Sequence, residues 1–72
     1  MPKLYSSRQI IKVLQENGFF FVSQKGSHAK FRKTGKLTLT AIVPAGKKEI
    51  PHGTFRSILR QSKLEEDDFK KK

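Results

Sequence analysis

Cysteine is absent from this 72-residue chain, and acidic residues are few. Without cysteine the chain has neither a disulfide framework nor a thiolate metal site, and nothing indicates an oxidising compartment. No apolar run approaches the length of a membrane span or of the hydrophobic part of a signal peptide. We therefore expect a cytoplasmic protein that does not associate with a membrane.

The shortage of acidic residues leaves a large positive charge. Six Asp and Glu residues stand against 16 Lys and Arg, a formal net charge of +10. Four of the six acids lie in residues 65–68, so that residues 1–63 contain only Glu16 and Glu49. Repulsion among so many positive charges destabilises the compact state. Such a surface most commonly serves to bind a polyanionic partner. Nucleic acid is the first expectation; an anionic membrane or an acidic protein surface is less common.

The spacing of apolar residues predicts one α+β domain of order α-β-β-β-α. Ser6 with Gln9 matches a capping box before a helical apolar stripe that ends at Asn17-Gly18. Three strands follow, at residues 19–23, 27–33 and 37–43, with turns at Lys25-Gly26 and Thr34-Gly35. A second helix begins after Thr54, which is expected to cap it. Short connections make the sheet an antiparallel meander, and two helices are expected to cover one of its faces.

The ends of the domain and its core are also predicted. At 72 residues the chain holds a small core and no deep cleft. Residues 6–69 are expected to be ordered, with Leu64 and Phe69 docked on the core, and residues 70–72 to form a basic tail. Most phenylalanines are expected in the core, while Phe20 or a neighbour could face outward and stack on a base. The predicted core phenylalanines are Phe19, Phe21, Phe31, Phe55 and Phe69.

Alternation along residues 27–33 separates two sets of side chains. Ala29 and Phe31 point to one face, and His28, Lys30 and Arg32 point to the other. Since the helices are expected on the apolar side, His28 should stand on the exposed face in line with two cations. Gly26 precedes it and has no Cβ to obstruct the backbone of a polymer.

A neutral imidazole at this place could act as a base near neutral pH. RNA offers it a proton on the ribose 2′-hydroxyl, which then attacks the adjacent phosphodiester without a metal. Lys25, Lys30 and Arg32 could neutralise charge on the phosphate oxygens. From spacing alone, His28 could equally be a surface or base-stacking residue of a protein that only binds nucleic acid.

Several short motifs resemble the HicA family of toxins from type II toxin-antitoxin systems, over roughly Ser6 to Phe69. They occur in the order Gly18-Phe19, Lys25-Gly26-Ser27-His28, Val43-Pro44, residues 53–61 (GTFRSILRQ) and an acidic pair before Phe69. The resemblance implies a fold similar to the double-stranded-RNA-binding domain, metal-independent cleavage of messenger RNA by an mRNA interferase, and neutralisation by a HicB-family antitoxin. It also implies that His28, the histidine of the family's Gly-Ser-His motif, is catalytic.

The sequence departs from the family at two points. Ala45-Gly46-Lys47 follows Val43-Pro44, where many members have a histidine, and Ser62-Lys63 stands where a small residue and a glycine usually end the last long helix.

Two classes of function remain, an endoribonuclease toxin and a non-catalytic RNA-binding module with a similar fold. Both would use Lys25, Gly26, Ser27, Lys30 and Arg32 to contact RNA, and neither requires a cofactor. His52, the other histidine, precedes the second helix and could be a surface residue, a phosphate contact or a catalytic acid. Two histidines without cysteine make a poor metal site, so no metal is expected.

Overall fold

The computed structural model describes residues 4–70 and confirms the predicted order of elements. The helices are α1 (Ser7–Glu16), α2 (His52–Ser62) and α3 (Glu66–Lys70), and the strands are β1 (Phe20–Lys25), β2 (His28–Lys33) and β3 (Leu39–Pro44). Lys70 is the last residue of α3, while Lys71 and Lys72 of the predicted tail lie outside the described residues. Within residues 4–70 no helix is long and apolar enough to cross a membrane.

The first helix begins as its sequence predicts. Oγ of Ser6 accepts a hydrogen bond from the Gln9 amide at 3.1 Å, and Oε1 of Gln9 accepts one from the Ser6 amide at 2.9 Å. This capping box satisfies amides that have no partner inside the helix. The helix then buries Ile10, Val13 and Leu14, which recur at helical spacing along its inner face.

The three strands form an antiparallel sheet in the order β1-β2-β3. In the register of β2 with β3, Ala29 lies opposite Val43 and Phe31 lies opposite Ala41. All four side chains are buried, because α1 and α2 cover this face. Residues directly opposite in an antiparallel pair share a face, so these pairs define the inner face of the sheet.

An aromatic cluster closes the core at the end of the chain. The rings of Phe55 and Phe69 meet edge to face with centroids 5.0 Å apart, and Tyr5 lies 5.2 Å from Phe55. The predicted docking of Phe69 is therefore confirmed, with Phe69 placed on the short helix α3, and Leu64 packs partly buried against the core. The buried apolar residues are Ile10, Val13, Leu14, Phe19, Ala29, Phe31, Ala41, Val43, Ile50, Phe55, Ile58 and Phe69.

Phe21, a predicted core residue, is exposed instead, and so is Leu37, the predicted first residue of the third strand. Phe21 does point to the inner face, yet 52% of its surface is exposed because the helices pack mainly against β3, at the far edge of the sheet from β1. Leu37 is 70% exposed, because β3 begins two residues later, at Leu39. Alternation predicts which face a side chain takes, but it does not predict whether a helix reaches that part of the face.

The start of α2 also differs from its prediction. The helix begins at His52, and Thr54 lies within its first turn rather than capping it. Pro51 is the residue before the helix, with φ −58° and ψ 149°, and its carbonyl accepts a hydrogen bond from the Phe55 amide at 2.9 Å. Because the ring of proline fixes φ near this value, Pro51 can start the helix without a side-chain cap.

Side chains from the helices close the outer edge of β3. Oγ of Ser7, a buried hydroxyl, donates to the Pro44 carbonyl at 2.5 Å and accepts from the Lys47 amide at 2.9 Å. The amide of Ile42 donates to Oε1 of Gln61 at 3.0 Å. These bonds satisfy backbone groups that point away from β2 and hold the end of β3 against α1.

Lys63 ends α2 in a left-handed backbone conformation, with φ 63° and ψ 20°. A side chain is strained there because its Cβ approaches the following carbonyl. We expect Lys63→Gly to raise the free energy of unfolding by about 0.5–1 kcal/mol, measured by thermal or denaturant unfolding.

The matched control is Lys36→Gly, which removes the same charge from an exposed loop position without a positive φ. It should destabilise the protein or leave it unchanged, because glycine adds entropy to the unfolded chain. An equal effect of both substitutions would show that charge, and not backbone strain, is responsible.

Candidate functional site

The face of the sheet opposite the helices carries the residues singled out by the sequence. The register places nine side chains on it, which we call the open face. They are Phe20, Ser23 and Lys25 on β1, His28, Lys30 and Arg32 on β2, and Thr40, Ile42 and Pro44 on β3. All nine are exposed or half-buried, so the predicted separation of the two faces is confirmed.

His28 is the first residue of β2 and lies in the middle of the sheet's width. It is opposite Lys25 on one side and Pro44 on the other. Its imidazole is exposed and makes no hydrogen bond to any residue within 4–70. The backbone of His28 is thus held on both sides, while its side chain is free to meet a ligand.

A tight turn brings Lys25 opposite His28. Gly26 has φ 60°, and Ser27 does not share that positive φ, as expected for a two-residue hairpin turn with glycine in its first position. The Ser27 carbonyl accepts a hydrogen bond from the Ala45 amide at 2.6 Å, which ties the turn to the end of β3. A Cβ at Gly26 would meet no atom within 4 Å, so glycine is required here by the backbone and not by crowding.

Lys30 and Arg32 follow His28 on the same face and are half-buried. Arg32 lies between Phe20 and Thr40 on the neighbouring strands. Its Nε atom is buried without a hydrogen-bond partner, so its stem packs into the face although the residue as a whole is not buried. In the part of the chain that the structure describes, neither side chain pairs with an acidic residue. The charge of the open face is therefore uncompensated.

A β-bulge in β1 decides which of its side chains reach the open face. The register is regular from Lys25 to Ser23 and resumes at Phe21, which leaves Val22 as the extra residue. Strict alternation would put Phe20 and Lys25, five positions apart, on opposite faces. Because of the bulge both lie on the open face, with Phe20 opposite Arg32. Alternation alone gives no sign of this arrangement, since the bulge exists only relative to β2.

His52 is not connected to this face. It is the exposed first residue of α2, and no hydrogen bond joins it to His28. The structure therefore gives His52 no role beside His28. Among residues 4–70 no three His, Asp or Glu side chains are grouped so that they could hold a metal ion.

A second group of cations lines an open groove between α1 and the loop after β3. It comprises Arg8, Lys12, Lys47 and Lys48. Three amides at the start of α1 already have partners there: the Ser7 amide donates to the Lys47 carbonyl at 2.9 Å, and the Gln9 and Ile10 amides donate to Oγ and to the carbonyl of Ser6. This groove contains none of the predicted site residues.

Comparison with known families identifies what the chain resembles. A family model described as "HicA toxin of bacterial toxin-antitoxin" matches residues 7–64, which are 58 of the 72 residues. The matched segment runs from the start of α1 past the end of α2 and includes the whole open face. No curated protein matches the chain.

The turn that presents His28 can be tested through its glycine. We expect Gly26→Ala to lower the free energy of unfolding by about 1–2 kcal/mol, because alanine is strained at φ 60°. Gly35→Ala is the matched control: Gly35 has no positive φ, and its nearest neighbour is the Leu37 carbonyl oxygen at 3.9 Å. The control should be neutral or stabilising. Equal stability of both variants would contradict the assignment of Gly26 to the turn.

Proposed function

The chain belongs to the HicA toxin family, and we propose that it is an endoribonuclease that cleaves messenger RNA without a metal and is neutralised by a HicB-family antitoxin. Membership of the family makes the chain a toxin of a bacterial toxin-antitoxin system. The observation that carries the finer proposal is His28, an exposed imidazole without a hydrogen bond among residues 4–70, in a row with two cations.

The proposed reaction uses His28 as the general base. Its neutral imidazole accepts the proton of a ribose 2′-hydroxyl, and the resulting oxygen attacks the adjacent phosphorus. The bond to the 5′-oxygen of the next nucleotide breaks as the new bond forms. The products are a 2′,3′-cyclic phosphate and a 5′-hydroxyl, whose proton comes from water or from a lysine. DNA has no 2′-hydroxyl and cannot react in this way.

The cations of the open face would bind the phosphate and stabilise the developing charge. Lys25 is directly opposite His28, at a Cβ separation of about 5 Å for such a pair. Lys30 is two residues along the same strand, about 7 Å away along the strand axis. Both can reach a phosphodiester held over His28, and Arg32 can bind the next one. Without an acidic partner within residues 4–70, these charges are available to a polyanion.

The same face is suited to neutralisation by an antitoxin. A partner that covers it would hide His28 and bury an uncompensated positive surface. Acidic residues on that partner would be favoured, because opposite charges speed association, whereas a basic partner would be repelled. We place toxin, antitoxin and messenger RNA together in the cytoplasm.

The proposed chemistry predicts that His28→Ala binds single-stranded RNA about as tightly as the parent and cleaves it about 100- to 10,000-fold more slowly, since the general base is lost. The assay contains EDTA and reads both fragment lengths and end groups. The parent should produce 2′,3′-cyclic phosphate ends. His52→Ala is the matched control and should retain cleavage.

Two outcomes would contradict this proposal. If the parent and the His28→Ala variant both bind RNA and neither cleaves it, the chain is an RNA-binding module. If both cleave alike, His28 is a contact residue and another group is the base.

The cations are tested by the salt dependence of RNA binding. In a His28→Ala background, Lys30→Gln and Arg32→Gln should each weaken binding and reduce the slope of log K against log salt by about 0.7 for single-stranded RNA. Lys63→Gln, at the end of α2 in the helix layer, is the matched control and should leave the slope unchanged. Equal slopes for all three variants would remove Lys30 and Arg32 from the RNA-binding surface.

A further inference from the structure

Phe20 is an exposed aromatic ring on a face that is otherwise polar or cationic along β1 and β2. It is 47% exposed and lies directly opposite Arg32. Fully apolar rings are usually buried in so small a core, and the other phenylalanines apart from Phe21 are buried here. The exposure of Phe20 therefore needs an explanation on the open face itself.

The neighbouring residue shows that exposure on β1 can have a purely structural origin. Phe21 is 52% exposed, but its ring points to the inner face and packs edge-on against Phe31, with centroids 5.8 Å apart. Its inner part belongs to the core, and its outer part is simply not reached by a helix. Within residues 4–70 no aromatic ring packs against Phe20, so Phe20 has no such connection to the core.

We propose that Phe20 is a stacking platform for an unpaired RNA base, so that the open face takes single-stranded RNA in preference to a duplex. Aromatic rings interleaved with cations are the usual composition of surfaces that bind single strands, because each base has a face to stack and each phosphate has a charge to meet. Here Arg32, opposite Phe20, supplies the adjacent cation. Bases in a paired helix are stacked on each other and do not offer a face to a side chain.

The position of Phe20 also limits which base it can meet. Arg32 is four residues from His28 along β2, a span of about 13 Å, and Phe20 lies beside Arg32 at that distance. A base stacked on Phe20 thus belongs to a nucleotide near the bond that is cut, and not to either nucleotide joined by that bond. This inference rests on the proposed function, since it takes the open face as the RNA site.

The chain contains no tryptophan, so a single introduced indole reports on its own surroundings. We would prepare Phe20→Trp and the matched control Phe21→Trp, both in a His28→Ala background so that RNA is bound and not cut. Each is titrated with a short unstructured RNA and with a duplex of the same length. We expect the single strand to quench the fluorescence of the Phe20→Trp protein and to leave that of the Phe21→Trp protein unchanged, and the duplex to quench neither.

Affinity gives a second measurement that does not depend on the indole. Phe20→Leu keeps an apolar side chain without a π-face, and we expect it to weaken binding of the single strand about tenfold. Phe21→Leu should change affinity less than twofold, and thermal unfolding checks that both variants are folded. With RNAs that carry one abasic position, moved stepwise past the bond that the parent cleaves, Phe20→Leu in the His28→Ala background should cease to weaken binding at one position only.

The failures can be told apart. Equal quenching of both tryptophans, equal binding of duplex and single strand, or unchanged affinity of Phe20→Leu would overturn the stacking role while leaving cleavage by His28 intact. A Phe20→Leu variant that binds RNA normally and loses its antitoxin would assign Phe20 to the protein interface instead. If the parent itself binds no RNA, the proposed function and this inference are both wrong.

Discussion

The protein depends on one constraint: its helices cover one face of a three-stranded sheet and leave the other open. The covered face is built from apolar side chains on β2 and β3, such as Ala29, Phe31 and Val43, against which α1 and α2 pack. A chain of this size has no further element to lay over the second face. That face is therefore in contact with water, and every side chain that takes part in the proposed chemistry lies on it.

The positive charge of the open face would destabilise a folded protein that has no partner. Its cations have no acidic side chain beside them within residues 4–70, and like charges placed close together oppose folding. Most of the acids are instead collected near α3, where the Glu65 amide donates to Oδ2 of Asp68 at 2.9 Å and starts the helix. A polyanion relieves the repulsion on the open face. Relief of this repulsion would contribute to the free energy of binding, whether the partner is RNA or an acidic protein.

His28 is on a rigid element, unlike many functional residues, which sit on loops. Its strand is the central one, and the ends of its neighbours are fixed close to it. The turn before it is bonded to Ala45 through the Ser27 carbonyl, and Pro44 opposite it is held by Ser7 of α1. The start of the first helix and the presentation of the imidazole are thus parts of one hydrogen-bonded arrangement. Ser7, the first residue of α1, therefore supports the site as well as the helix.

The sequence by itself determined the order of elements, the start of α1, most of the core and the face on which His28, Lys30 and Arg32 lie, because these follow from local periodicity and local hydrogen bonding. Pairing and coverage were decided by the tertiary structure. Phe21 points inward and is still half exposed because the helices pack mainly against β3 and not against β1. Phe20 joins the open face together with Lys25 because the bulge at Val22 adds one residue to β1 relative to β2. A period of two assigns faces along a single strand, and only the partner strand decides where that period is interrupted.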